Sequence, residues 1–325
     1  MKLLNHTNPS PLVSAGKLMN LSSRKFLGII FVIASISTMT CSTAAETTAA
    51  LNVDPNLNQA VYSSPEAAAQ SITDAISGRE REKIGVILGL TAAELLPLNN
   101  ISQESVEKYL QGYAKSHSLQ PVGEEQYLLA IGEENWTLPI PIIKGSQGWY
   151  FDTEAGIERI RIRRIGRNEL AAIQSVLAYY DAQIEYAAED RDGDGVLEYA
   201  QKFISAENQH DGLYWETSGD ETPSPLGPLF ADTTPDGAYH GYYYRILTSQ
   251  GSNANGGAFS YLEDNQMTGG FAMIAWPAEY GNTGVMSFIV NQDGIVYQQN
   301  LGPDTDELAT QLQSFDPAPE WVPVQ

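Results

Sequence analysis

The clearest chemical pattern in the chain is DRDGDGVLEYAQ, residues 190 to 201. Carboxylates stand at Asp190, Asp192 and Asp194, glycine follows at Gly195, and Glu198 comes shortly after. A calcium loop of the EF type takes side-chain oxygens at its positions 1, 3 and 5 and a glycine at 6. It then takes a backbone carbonyl at 7, often a water at 9, and a bidentate acid at 12. Counted from Asp190, the candidate metal set is Asp190, Asp192, Asp194, the Val196 carbonyl, Glu198 and Gln201. Gln201 is neutral and offers one oxygen where the pattern asks for two. The site is therefore expected to be weak, at roughly 10⁻⁴–10⁻³ M as in extracellular modules, or Glu198 binds Ca2+ directly. Three acids in five residues repel one another without a cation, which favours the metal. The competing reading is an acidic turn, because Asp and Gly form turns without any ion.

A second set could do acid/base work. Beyond residue 45 the histidines are His117, His210 and His240. His210 precedes Asp211 and Gly212, and His240 could join them in space as the machinery of a hydrolase. Against this, the sequence has no GxSxG, no HExxH and no phosphate-cradling loop. No catalytic and no cofactor-binding residue is assigned. An aromatic block, Tyr214, Trp215, Tyr239, Tyr242, Tyr243 and Tyr244, is a third candidate, as a platform for sugar or peptide. Strand alternation puts Tyr239 and Tyr243 on one face and His240, Tyr242 and Tyr244 on the other, and one face must be core.

The whole chain carries a formal charge of −22. Without the first 45 residues it has 14 basic against 40 acidic residues, or −26. Such a body is repelled by phosphate backbones and anionic headgroups, which excludes nucleic acid as a partner. A hydrophobic fraction of 42% with 18% charged residues is globular rather than disordered.

Residues 1–45 read as a Sec signal peptide. Arg24 and Lys25 precede the apolar run LGIIFVIASISTM, and Thr43 and Ala45 suit the positions before a signal-peptidase cut. Met19 would give a more ordinary start. Cys41, the single cysteine, sits where a lipid could be attached, although Thr38-Met39-Thr40 is a poor lipobox. The mature chain is expected in the periplasm or outside the cell, without membrane insertion.

The elements that must hold these candidates follow from periodicity. Residues 46–60 read as a linker. Ser64-Pro65-Glu66 opens a helix that Gly78 stops. TAAELLPL reads as a second helix, and Ser102 caps a third. Residues 127–151 then read as strands, so 61–162 is an α+β domain. Its order suggests a cone-shaped fold of the nuclear-transport-factor type. Residues 168–189 form the strongest helix, with Leu170, Ile173, Leu177, Tyr180, Ile184 and Ala187 as its apolar stripe. From Tyr239 the chain reads as an antiparallel meander with a hairpin turn at Asn291-Gln292-Asp293-Gly294. That makes 163–325 a second α+β domain.

RRIGRNELAAIQSVLAYYDAQIEYAAEDRDGDGVLEYAQKF, DGLYW, SPLGPL, YHGYYYRIL, GGFAMIAWPAEYG and FIVNQDGIVYQQNLGPDT together resemble the bacterial exported family catalogued as domain of unknown function 2950. The resemblance runs from about Ser64 to the C-terminus. It implies an exported protein of the cell envelope and brings no established activity. The element order from residue 165 is also similar to the globular heads of type IV pilins and pseudopilins, some of which bind calcium. The pilin leader is missing, so no pilus subunit is expected. The reading that results is an exported two-domain scaffold or binding module with a calcium loop. Its expected partner is an envelope protein or a neutral polymer, and the alternative is a hydrolase using His210, Asp211 and His240.

Overall fold

The computed structural model describes residues 51–55, 57–89, 102–191, 193–217, 223–227 and 237–324. The signal segment with Cys41, the TAAELLPL helix and Asp192 lie outside them.

Two short strands, β1 (Val53–Asp54) and β2 (Gln59–Ala60), pair as a hairpin ahead of helix α1 (Pro65–Ser77). The Ser64 hydroxyl caps α1 by accepting from Ala67 N at 3.2 Å, and Gly78 ends it, as its sequence predicts. Helices α2 (Arg81–Leu88) and α3 (Gln103–Lys115) follow, the latter capped by Ser102. The next strands are β3 (His117–Gly123), β4 (Gln126–Ile131), β5 (Trp136–Thr137), β6 (Ile142–Gly145) and β7 (Gly148–Phe151). They form one antiparallel sheet in the order β3-β4-β6-β7, with β5 on β4. Strand β3 has no forerunner in the sequence reading. It is an exposed edge with a bulge after Pro121, and an edge is where a sheet tolerates proline. Ala68, Ile72, Ile87, Leu129, Ile142 and Phe151 form the core between these helices and this sheet. Buried Gln59 ties the parts together, donating to Ile87 O at 2.9 Å and Phe151 O at 2.7 Å.

Helix α4 (Thr153–Tyr186) runs 34 residues and starts well before the expected residue 168. Its opening IERIRIRRI has isoleucines at 157, 160, 162 and 165, steps of three, two and three that trace neither a helical stripe nor a strand alternation, so period alone does not mark it. Tertiary contact decides instead. Asp152 caps Ala155 N at 3.0 Å, and Gly156 backs onto Ile140 so closely that a side-chain carbon there would come within 2.8 Å. The boundary expected between residues 162 and 163 falls inside this unbroken helix. The expected apolar stripe also needs correction. Leu170 is 66% exposed and Ile184 46%, while Ile173, Leu177 and Tyr180 are half-buried. The buried face is turned by about one position and reads Ala172, Val176, Tyr179, Gln183 and Tyr186. The alanines let the sheet approach closely, and a hydrogen-bonded glutamine takes a core place.

The C-terminal sheet is built from β8 (Tyr242–Leu247), β13 (Ala272–Pro277), β14 (Ser287–Asn291), β15 (Tyr297–Gln299) and β16 (Val322–Pro323). Its order is β16-β15-β14-β13-β8, antiparallel throughout. The intervening β9 (Ser249–Gln250) pairs with β10 (Phe259–Ser260), and β11 (Leu262–Glu263) with β12 (Gln266–Met267). The Asn291–Gly294 turn joins β14 to β15 as expected, with Gly294 at φ +74°. Every residue of β13 and β14 is buried. Helix α4 covers one face, where the Tyr179 hydroxyl donates to Ala272 O at 3.1 Å. Helix α5 (Thr305–Gln311) lies on the other, where Asp306 accepts from Trp276 Nε1 at 2.9 Å. Arg245 donates to Ala309 O and Leu312 O, placing a cation on the C-terminal carbonyls of α5. The architecture is thus mixed helix and antiparallel sheet, the expected α+β class.

Candidate functional site

The acidic loop begins where α4 ends, and its carboxylates are already at work within the protein. Both oxygens of Asp190 accept loop amides, from Gly193 N at 2.7 Å and Gly195 N at 2.9 Å. Those glycines sit at φ +80° and +91°, a backbone region in which a side chain is strained. Asp194 Oδ1 accepts from Val196 N at 2.8 Å, and its Oδ2 accepts from the Gln266 side-chain amide. Glu198 Oε2 accepts from Met267 N at 3.1 Å. Gln201 Nε2 donates to Asn265 O, and Tyr199 N donates to Met267 O, both at 2.8 Å. Four contacts, from Asp194, Glu198, Tyr199 and Gln201, therefore converge on the β11–β12 hairpin. Its turn residues Asp264 and Asn265 have φ +49° and +68°, the two left-handed positions of a tight hairpin. The sequence reading did not find these partners.

The loop residues thus fall into a clasp. Asp190, Asp194, Glu198 and Gln201 come together around hydrogen bonds to the chain itself. Among the described residues no three His, Cys, Asp or Glu side chains group as a metal site, and Asp192 lies outside the described residues.

Arg191, the one base in the acidic run, supports the clasp from below. Its side chain is only 7% exposed and pairs with Glu189 at 3.2 Å. It also donates to the Glu185 carbonyl at 3.3 Å, a cation at the end of α4. Its guanidinium lies 5.8 Å from the Trp215 ring, and His210 stacks on the same indole at 4.3 Å. Trp215 is therefore a buried spacer rather than an open platform. The other platform candidates are also packed. Tyr242 is fully buried against Phe288, Tyr243 leans on Trp276, and Tyr239 lies against His240 and Tyr244. Burial raises the Tyr242 and Tyr244 hydroxyls above the usual tyrosine range, and the negative charge of Glu169 adds to this at Tyr242.

His210, Asp211 and His240 are not linked by a hydrogen bond. Asp211 accepts from Ala206 N at 2.8 Å and pairs with Lys202. Burial pushes its carboxyl up, but the Lys202 and Ala206 bonds together outweigh that and hold it below the usual range. The His210 carbonyl accepts from Tyr186 OH at 2.8 Å. A cavity of about 450 Å³ opens beside Tyr214, Trp215, Glu216 and Pro223, and none of the three expected residues lines it. No described helix is long and apolar enough to cross a membrane.

No curated protein and no solved structure matches the chain. One family does, over residues 59–324, which takes in the clasp, the stacked indole and both sheets. The chain belongs to the family described as "Protein of unknown function (DUF2950)".

Proposed function

We propose that this is an exported, non-catalytic binding or scaffold module of the cell envelope, whose acidic loop locks the end of its long helix to the β11–β12 hairpin. The observation that carries the reading is the convergence of Asp194, Glu198, Tyr199 and Gln201 on residues 265–267. Carboxylates committed to backbone and amide donors hold a scaffold in place, whereas a hydrolase needs an acid and a base within reach of one another in a cleft. Asp211 is committed to Lys202 and Ala206, so the hydrolase alternative through His210, Asp211 and His240 lacks its pair.

Ca2+ is the ion this loop would take, with Asp190, Asp192, Asp194, the Val196 carbonyl, Glu198 and Gln201 as its oxygen ligands. An ion that binds only the folded state stabilises it by mass action. The finer fold reading belongs to the same proposal. The helices ahead of one sheet support a cone-like N-terminal domain, and one long helix backed onto an antiparallel sheet supports a pilin-head-like C-terminal domain. Residues 1–45 are proposed to direct export.

The test is thermal melting of the full chain in calcium, in magnesium and in chelator, with Asp192→Ala and Glu198→Gln. The proposal expects Glu198→Gln to lower the melting temperature in chelator, and calcium alone to raise it in the wild type but not in Asp192→Ala. If calcium changes nothing, the metal is discarded and the hydrogen-bonded clasp stands alone. If Glu198→Gln also changes nothing, the clasp is discarded as well.

A further inference from the structure

Five of the chain's 18 basic residues fall within nine positions of α4, at Arg159, Arg161, Arg163, Arg164 and Arg167. They point two ways. Arg161 and Arg164 grip the turn at Gly281 and Asn282. Arg159, Arg163 and Arg167 are spaced four apart and share the other side of the helix. Among the described residues the ion pair on this stretch of helix is Arg161–Glu158, and no carboxylate meets these three. Arg163 donates to the neutral Thr137, at 2.7 Å to its carbonyl and 2.6 Å to its hydroxyl, and lies 5.8 Å from the Trp136 ring. Burial and then the charges of Arg159 and Arg167 hold the Arg163 guanidinium below the usual arginine range.

Like charges at this spacing destabilise a helix. A protein with a net charge of −22 has acids to spare, yet none neutralises this row. Apolar side chains stand beside it in water: Trp136 is 49% exposed, Ile162 55% and Leu170 66%. Gly166 lies among them, with nothing within 4 Å of where its side chain would begin.

We propose that this face of α4 docks an acidic amphipathic helix of a partner protein. Guanidinium forks pair two-pronged with carboxylates. At 1.5 Å rise per residue the three arginines stand about 6 Å apart over about 12 Å, the spacing of acids four apart on a second helix. Trp136, Ile162 and Leu170 would take that helix's apolar edge, and exposed Trp with Arg is the composition of a binding hot spot. A bilayer or a long polyanion would also face the rest of this acidic surface and be repelled, as would a second copy of the chain. A short helix touches only the row. The inference deepens the binding-module reading by naming its surface, and it does not depend on calcium at the acidic loop.

The probe is a synthetic amphipathic helix with glutamate at every fourth position and leucine beside it, titrated into the full chain. Controls are the same peptide with Glu→Gln, vesicles of anionic lipid, and sedimentation of the protein alone. Arg159→Gln combined with Arg167→Gln removes two arginines that have no described partner, and Leu170→Ser removes the apolar edge. The proposal expects saturable binding that weakens at least about tenfold in the double variant, equivalent to about 1.4 kcal/mol. It also expects weakening in Leu170→Ser, and weakening as ionic strength rises from about 0.01 M to about 0.15 M. Equal binding of the Gln peptide, tighter binding to vesicles, self-association that the double variant abolishes, or no binding at all would each overturn it.

Discussion

The two halves of α4 treat water differently. From Ala171 to Tyr186 the helix lies on the C-terminal sheet, with Ala172, Val176 and Tyr179 fully buried. Its buried polar side chains there are hydrogen-bonded, Ser175 to Ala171 O at 2.9 Å among them. Gln183 donates to Ala200 O at 2.8 Å and to the Tyr179 hydroxyl at 3.0 Å, and it accepts from Ala200 N at 2.8 Å. From Glu154 to Leu170 the same helix is held mainly along the side that meets residues 281–286, and on the other side by Gly156 against Ile140 and Arg163 on Thr137. Asn168 donates to Thr283 O at 2.8 Å, and Glu169 accepts from Val285 N and Met286 N at 3.0 Å. The opposite side carries arginines that meet no carboxylate among the described residues, and an exposed leucine. One half spends its side chains on stability, and the other keeps a costly charge row facing outward. In a marginally stable protein, an uncompensated local cost points to function rather than to folding.

That contrast predicts unequal responses to mutation. Tyr179→Ala should destabilise the protein by about 3–5 kcal/mol, because it empties a core site and frees the Ala272 carbonyl, whereas Leu170→Ala should stay within about 0.5 kcal/mol. Chemical denaturation of the two variants measures both. Equal effects would erase the difference between the halves.

Alkaline titration probes the buried half by another route. Burial raises the hydroxyl of Tyr179 above its ordinary value, and pushes that of Tyr261 up to about 12. A raised pKa means the folded state keeps its proton when the unfolded chain has lost it. Stability is therefore full below about pH 10 and falls as pH rises toward the folded value, by about 1.4 kcal/mol per pH unit for a fully buried tyrosine such as Tyr179. Stability measured from pH 8 upward by tyrosine absorbance and circular dichroism should show this slope. Tyr179→Phe should lessen the slope by one tyrosine's share, the other buried tyrosines keeping the rest.

Gln183→Leu should cost about 1–3 kcal/mol, since it strands the buried Ala200 amide and carbonyl. Gly166→Ala acts on the outward half in the reverse direction. With open space around the position, it should stabilise by about 0.5–1 kcal/mol through helix propensity alone, read as a rise in the denaturation midpoint.

Much of the framework could be read before the structure. Ser64-Pro65-Glu66 with Gly78 marks α1 because caps are local chemistry. Asn291–Gly294 marks its hairpin because a tight turn needs left-handed residues. The start of α4 could not be read, since Ile157, Ile160, Ile162 and Ile165 are scattered round the helix and form no stripe, and the contact of Gly156 with Ile140 is tertiary. Its buried face was also misassigned, because large apolar residues outweigh alanine and glutamine in any reading by hydrophobicity. In the acidic loop the turn chemistry of Asp190, Gly193 and Gly195 was legible. The partners Asn265, Gln266 and Met267 lie more than sixty residues away, and tertiary pairing of that kind leaves no local trace. The arginine row was in plain sight as letters. Only its lack of carboxylates in three dimensions gives it meaning.

The most direct test measures two properties of one protein. Arg159→Gln with Arg167→Gln should leave the melting temperature unchanged or slightly raised, since relieving like charges on a helix gains about 0.2–0.5 kcal/mol per pair. The same variant should lose its affinity for the acidic amphipathic peptide. Stability and binding would then be seated on opposite sides of one helix. If the variant instead melts earlier and binds as the wild type does, the row serves the fold, and the division between the two halves of α4 is wrong.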